Sequence, residues 1–303
     1  MHFIVTAGPT REYLDPVRFL SNPSTGKMGF AVAAEAARRG HDVTLIAGPV
    51  ALKTPKGVRR VDVVSAREML ERSLEGLGGL GCLESLGGLE GLGGSERVAF
   101  VSTAAVADWR PARCVAQKLK KRQMSGVLRL VRNPDILKTI SKLSKPSEPP
   151  KPPRLSLVGF AAETNDVLAE AARKCREKGL AFIVANDVTE KGSGFGTETD
   201  RVTFVFPDGT QKKFPLMTKR RVAAALVREL EADGLSSTDR DRASDETISA
   251  PLAVGRTIWY TTHHRDIKRR CATRRVAPTE PEQTRATVER KDSGCASRVW
   301  GKH

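Results

Sequence analysis

Residues Phe3 to Arg39 read FIVTAGPTREYLDPVRFLSNPSTGKMGFAVAAEAARR, and this stretch decides the fold. Phe3 to Thr6 has the unbroken apolar character of a strand buried on both faces. The run breaks at Gly8-Pro9, passes through a long polar loop and enters an alanine-rich helix after Gly26. Strand, loop and helix in that order predict the opening unit of a parallel sheet, where ligands collect at strand carboxyl ends beside helix N-termini. Arg11, Arg18, Asn22, Ser24 and Lys27 all lie in the loop. Either it is an anion site or its charges are solvated, and loops longer than about 12–15 residues in compact domains favour function.

Two phosphate motifs are tested first. A Walker loop needs glycine five residues before Gly26-Lys27 and a hydroxyl after it, but Ser21 and Met28 stand there. A dinucleotide fingerprint needs closely spaced glycines, whereas Gly8 and Gly26 flank a charged loop. Neither motif is present, although the order of elements stays Rossmann-like.

Outward from this unit the pattern repeats. Arg38-Arg39-Gly40 closes the helix with cations at its negative end and glycine as stop. Val43 to Ala47 and Val58 to Val64 read as strands, and Ser65 caps a helix running to about Leu74. Residues 74–94 form a Leu-Gly-Glu repeat too rich in glycine for a stable helix, read as a loop insertion. Val98 to Thr103 is a buried strand running into AAVADWRP, where the small Ala104 and Ala105 let a ligand approach the backbone. Asp108 just beyond has three readings: a base or sugar contact, a metal ligand, or a turn residue.

Val127 to Val131 is a short strand, and Asn133-Pro134-Asp135 starts a helix from Ile136 to Leu143 with proline in the first turn. Residues 145–154, KPSEPPKPPR, form an extended connector. Leu155 to Phe160 and Ala181 to Ala185 are further strands, separated by a helix from about Asn165 to Lys178. Lys174 and Lys178 share one face of that helix, where both reach one anionic group or both are solvated. Val202 to Phe206 and Lys212 to Leu216 form an antiparallel hairpin about Asp208-Gly209, and Thr218 to Ala232 is the last helix. The expected fold is α/β: a Rossmann-like, mostly parallel sheet with helices on both faces and a small hairpin extension. The domain spans 1–234, and 235–303 is expected to be a disordered basic tail.

Composition narrows the chemistry. The 303 residues carry a formal charge of +16 with 39% hydrophobic content, enough for a real core. Ten of the basic residues lie between Arg113 and Lys145 against the single acid Asp135, with Trp109 the one aromatic nearby. Single-strand binders interleave cations with stacking aromatics, so a concentrated polyphosphate site fits this cluster better than a nucleic-acid groove. A solvated basic face is the plain alternative. Cys82, Cys114, Cys175, Cys271 and Cys295 are scattered and never form a CxxC pair, so neither a disulfide framework nor a zinc site is expected. His263-His264 has no matching ligands, and no resident metal is expected. The absence of a long apolar run and of a signal pattern predicts a cytoplasmic protein.

TAGPTREYLDPVRFLSNPSTGKMG, AAVADWRP, KLKK (Lys118 to Lys121), NPDIL, VGFAAET and the AND–GFGTETDRV pairing, taken together, resemble phosphopantothenoylcysteine synthetase, the ligase of coenzyme A biosynthesis. In the bacterial members of this family the carboxylate of 4′-phosphopantothenate attacks the α-phosphate of CTP, releasing pyrophosphate, and the amine of L-cysteine then displaces CMP. The resemblance implies that Asn22 holds the phosphopantothenoyl amide or activated intermediate, with Arg18 in the same loop. Lys118 would sit on a flap and stabilise charge at the α-phosphate. The nucleotide site would draw on Ser102, Thr103, Ala104, Asp108, Pro134, Asp135, Ile136, Leu137, Phe160, Lys174 and Lys178. The resemblance also implies Mg2+ arriving with the triphosphate, a homodimer, and neither flavin nor decarboxylase activity, because nothing precedes the ligase motif. CTP rather than ATP is the expectation from the bacterial style of the motifs. A Rossmann-like NAD(P)- or flavin-binding oxidoreductase and a non-catalytic basic binding module are the rival readings.

Overall fold

The computed structural model describes residues 1–79, 97–120, 122, 126–144, 155–163, 167–187, 189–190 and 192–233. The first half comprises β1 (His2–Ala7), β2 (Arg11–Asp15), β3 (Arg18–Ser21), α1 (Lys27–Arg38), β4 (Asp42–Ala47), β5 (Val58–Asp62), α2 (Ala66–Gly79) and β6 (Val98–Ser102). The second comprises β7 (Trp109–Pro111), β8 (Leu130–Arg132), α3 (Ile136–Leu143), β9 (Leu155–Glu163), α4 (Val167–Glu177) and β10 (Phe182–Asp187). The short strands β11 (Thr199–Asp200), β12 (Val202–Val205), β13 (Gln211–Lys213) and β14 (Met217–Thr218) lead into α5 (Lys219–Ala232).

Six strands run parallel in the order β5-β4-β1-β6-β9-β10. Antiparallel pairing of β12 with β10, and of β13 with β12, extends the sheet at one edge. Counting only the parallel strands, the order is that of a doubly wound dinucleotide fold, whose direction of winding reverses between β1 and β6. Side chains alternate accordingly. Phe3, Val5 and Ala7 of β1 pack with α1 and α5 on one face, while Ile4 packs on the other with side chains of α2, α3 and α4. The α/β fold, with helices on both faces and a hairpin about Asp208-Gly209, is as the sequence indicates. Among the described residues, no helix is long and apolar enough to cross a membrane.

The sequence reading and the structure differ at several places; β8 is Leu130–Arg132 rather than Val127 to Val131, and β13 is Gln211–Lys213 rather than Lys212 to Leu216. The expected polar loop from Gly8 to Gly26 contains the hairpin β2–β3, paired from Arg11↔Ser21 to Asp15↔Arg18. Helix α2 runs to Gly79, beyond the expected end at Leu74. Its glycines are poor helix formers, but Met69 and Leu77 are completely buried, and tertiary packing overrides propensity. Pro134 precedes the cap of α3, whose N-cap is Asp135, accepting a hydrogen bond from the Lys138 amide at 2.9 Å. The rest of the Leu-Gly segment, the proline-rich connector and the expected tail lie outside the described residues.

Candidate functional site

A cleft of about 570 Å³ opens at the carboxyl ends of the strands where the winding reverses. Its first wall is the entrance to α1. Gly26, the N-cap, takes a left-handed φ of 78° and offers no capping side chain. Three residues on, a Cβ at Gly29 would lie 2.4 Å from Thr103 Oγ1 and 2.5 Å from Ala7 Cβ. The helix therefore starts directly on the ends of β1 and β6, and its first-turn amides face the cleft without intrahelical acceptors.

The opposite wall is residues 102–108, stitched to the continuation of β1. Thr103 Oγ1 donates to Thr6 O at 2.6 Å, the Ala105 amide to Gly8 O at 2.9 Å, and the Ala107 amide to Thr10 Oγ1 at 3.0 Å. Asn22 reaches across from the end of β3, donating through Nδ2 to the carbonyls of Ala105 (3.3 Å) and Val106 (3.1 Å). Asn133 fastens the NPDIL segment to the same wall: its amide donates to Asp108 O at 2.8 Å and its Nδ2 to Ala107 O at 2.8 Å. Lys178 at the end of α4 pairs with Asp135 at 2.7 Å. Burial alone would raise the Asp135 pKa, but the hydrogen bond from Lys178 and that from the Lys138 amide leave it lowered.

Asn22, Ser102, Thr103, Ala104, Asp108, Pro134, Asp135, Ile136, Leu137, Phe160, Lys174 and Lys178 all line this one cleft. Residues scattered over more than 150 positions are thereby brought together. Arg18 and Lys118 lie outside its lining. Arg18 is engaged with buried Asp15, which accepts from its Nε at 3.0 Å and its Nη2 at 2.5 Å. Arg18, through its hydrogen bonds, holds the Asp15 carboxyl well below the usual range against the opposing effect of burial. Asp15 also accepts from the Leu119 amide at 3.2 Å, while Leu119 O accepts from Arg18 at 3.0 Å. The pair therefore fixes the backbone beside Lys118, whose side chain is exposed.

Sequence reasoning assigned no site role to Asn133, Asn186, Asp200 or Lys219, which also line the cleft. Buried Asp200 accepts from Asn186 Nδ2 (3.2 Å), Ser193 Oγ (2.5 Å) and the Gly194 amide (3.3 Å), setting the loop after β10 against the cleft. The AND–GFGTETDRV pairing carried that signal, since it joins the two ends of the same network. Lys219 gave no signal, because a lysine opening the run KRR reads as a solvated helix end. Cys175 is buried, with its thiol pushed up to about 11, and has the character of a core side chain rather than a nucleophile.

Residues 1–80 and 94–233 match the family model described as the DNA/pantothenate metabolism flavoprotein C-terminal domain. The bifunctional coenzyme A biosynthesis protein CoaBC of Vibrio vulnificus is 39% identical over 230 residues, covering 75% of this chain and 51% of that protein. The Escherichia coli protein of the same name is 40% identical over 233 residues, with 76% and 51% covered. This chain thus spans about half the length of these relatives. Among solved structures, the C-terminal domain of a CoaBC protein superposes with a TM-score of 0.57 at 36% identity, covering 76% of this chain and 93% of that one. A Cab2 variant in complex with phosphopantothenate-cysteine shares the fold at a TM-score of 0.55, with 14% identity, 81% of this chain and 88% of that one covered.

Proposed function

Because this chain belongs to the DNA/pantothenate metabolism flavoprotein C-terminal domain family, we propose that it joins 4′-phosphopantothenate to L-cysteine at the expense of CTP. One observation carries the reading: twelve residues named from separate stretches of the sequence line a single cleft at the topological switch point. The cleft offers what an anhydride-forming ligase needs, namely helix amides and cations beside an apolar-backed wall, and little acid–base apparatus.

In the first step the pantothenate carboxylate oxygen bonds to the α-phosphorus as the bond to the β-phosphate oxygen breaks, giving acyl-cytidylate and pyrophosphate. The cysteine amine then adds to the acyl carbon, loses a proton, and expels CMP. Asn22 stands where it would orient the acyl group against residues 105–106. Lys118, on its exposed segment, would close on the α-phosphate as charge builds there. The amides of Lys27 to Gly29 and the cation of Lys174 would receive phosphate oxygens. Mg2+ would accompany the triphosphate. Such a Mg2+ would neutralise triphosphate charge. The reaction is proposed to be cytoplasmic and the enzyme a homodimer, supported by the apolar side chains of Phe19, Trp109 and Leu130 exposed on neighbouring two-stranded ribbons.

The test is pyrophosphate release with phosphopantothenate, cysteine and magnesium, with CTP or ATP supplied in turn. Release that requires phosphopantothenate and is faster with CTP is expected. Equal or faster release with ATP would overturn the CTP assignment, and none with either would overturn the ligase. An oxidoreductase would instead bind NAD(P)H or carry a coloured cofactor.

A further inference from the structure

Lys219 opens α5 and is 7% exposed. Its ammonium donates to Gly194 O at 2.8 Å, and no carboxylate lies within 4 Å of it among the described residues. A buried ammonium has three donors and is costly to keep charged, and one neutral carbonyl, with Asp200 and Glu198 attracting it at longer range, offsets that cost only in part. Gly194 O also accepts from Thr197 Oγ1 at 3.0 Å, so the loop carbonyl does not depend on the lysine. Asp200, the nearest buried acid in the network, is already held by Asn186, Ser193 and Gly194.

Lys27 stands beside it on α1. Its ammonium contacts Gly196 O at 2.9 Å and Glu198 at 2.5 Å, but the Glu198 side chain is 81% exposed, and such a partner is readily exchanged for a stronger anion. Both lysines line the cleft, and both sit in the first turn of a helix, where the macrodipole opposes a cation. Neither helix has an acidic residue in its first turn. Two adjacent cations at two positive helix ends are a strained arrangement that an anion with several negative oxygens would relieve.

We infer that Lys219, with Lys27, grips the β- and γ-phosphates of the nucleotide and so discriminates triphosphate from monophosphate. The inference rests on the ligase reading for the identity of the nucleotide. It places the buried cation on the pyrophosphate half, away from the exposed Lys118 proposed for the α-phosphate.

Calorimetric titration of CTP, CMP and inorganic pyrophosphate into wild type, Lys219→Met and Lys219→Arg tests it. Lys219→Met should weaken CTP and pyrophosphate by about ten- to a hundredfold, the range for a charge-assisted hydrogen bond, and leave CMP within about twofold. Lys219→Arg should restore part of the loss. The ligand-free melting temperature of Lys219→Met should hold or rise, because a buried charge has been removed. Equal weakening of CTP and CMP with a lowered melting temperature would mean that Lys219 only braces the loop, and unchanged CTP binding would also overturn the inference. If wild type binds CTP yet releases no pyrophosphate from phosphopantothenate, the ligase reading fails while the phosphate grip stands. If wild type turns over but Lys219→Met keeps its preference for triphosphate, the grip fails alone.

Discussion

Lys118→Gln is expected to lower the rate of pyrophosphate release on the order of 10²–10³-fold, as loss of a transition-state charge partner does. Asn22→Asp should permit release of pyrophosphate but slow passage of the intermediate to product. Single-turnover measurement of pyrophosphate and of product separates the two, and near-normal rates in both variants would contradict the roles given them. Most of the twelve cleft residues were legible because they fall beside the end of a strand or the start of a helix, whereas Lys174 and Lys178 were legible as two cations four residues apart near the end of α4. Arg18 was legible as a cation near the site, but its bond to Asp15 was not. Nothing in a sequence says which of several arginines a buried carboxylate will take. Lys219 was hidden for a related reason, since burial of a helix-end lysine depends on a loop folded from residues some 25 positions earlier.

Helices α1 and α5 are joined away from the cleft by a charged network. Glu35 accepts from Arg38 (2.8 Å) and Arg39 (2.8 Å), while Arg39 and His41 both reach Glu231 of α5, at 2.8 and 2.9 Å. The hydrogen bond from Arg38 first, opposed by burial and aided by Arg39, holds the Glu35 carboxyl at about 2. A depressed carboxylate stabilises the folded state fully above its unfolded pKa, and that contribution fades as pH falls toward the folded value. Melting temperatures of wild type and Glu35→Gln should therefore differ at neutral pH and converge as pH falls from 4.5 toward 2. A constant difference across that range would show that the charge of Glu35 is not what matters. At this scale the long elements were legible from apolar runs and the short ones were not. The strands REYLD and RFLS are too charged and too brief to stand out from a loop, and only their pairing with each other reveals them.

Across the molecule, the parallel order around β1 and β6 sets where a ligand goes, and the motifs lie at those strand ends because that is where the sheet exposes its backbone. The ribbons β2–β3 and β7–β8, adjoining in sequence the cleft-lining Asn22, Asp108 and Asn133, expose Phe19, Trp109 and Leu130. Sedimentation equilibrium should accordingly give a dimer, and Leu130→Lys should shift it toward monomer; a wild-type monomer at micromolar concentration would contradict the dimer. Neither ribbon pairing nor strand order can be read from periodicity, because both are set by contacts distant in sequence. The most direct test of the central claim is mass-spectrometric identification of the products after incubation with phosphopantothenate, cysteine, CTP and magnesium. The account predicts phosphopantothenoylcysteine, CMP and pyrophosphate in equal amounts; folded protein that leaves phosphopantothenate unchanged with both CTP and ATP would contradict it.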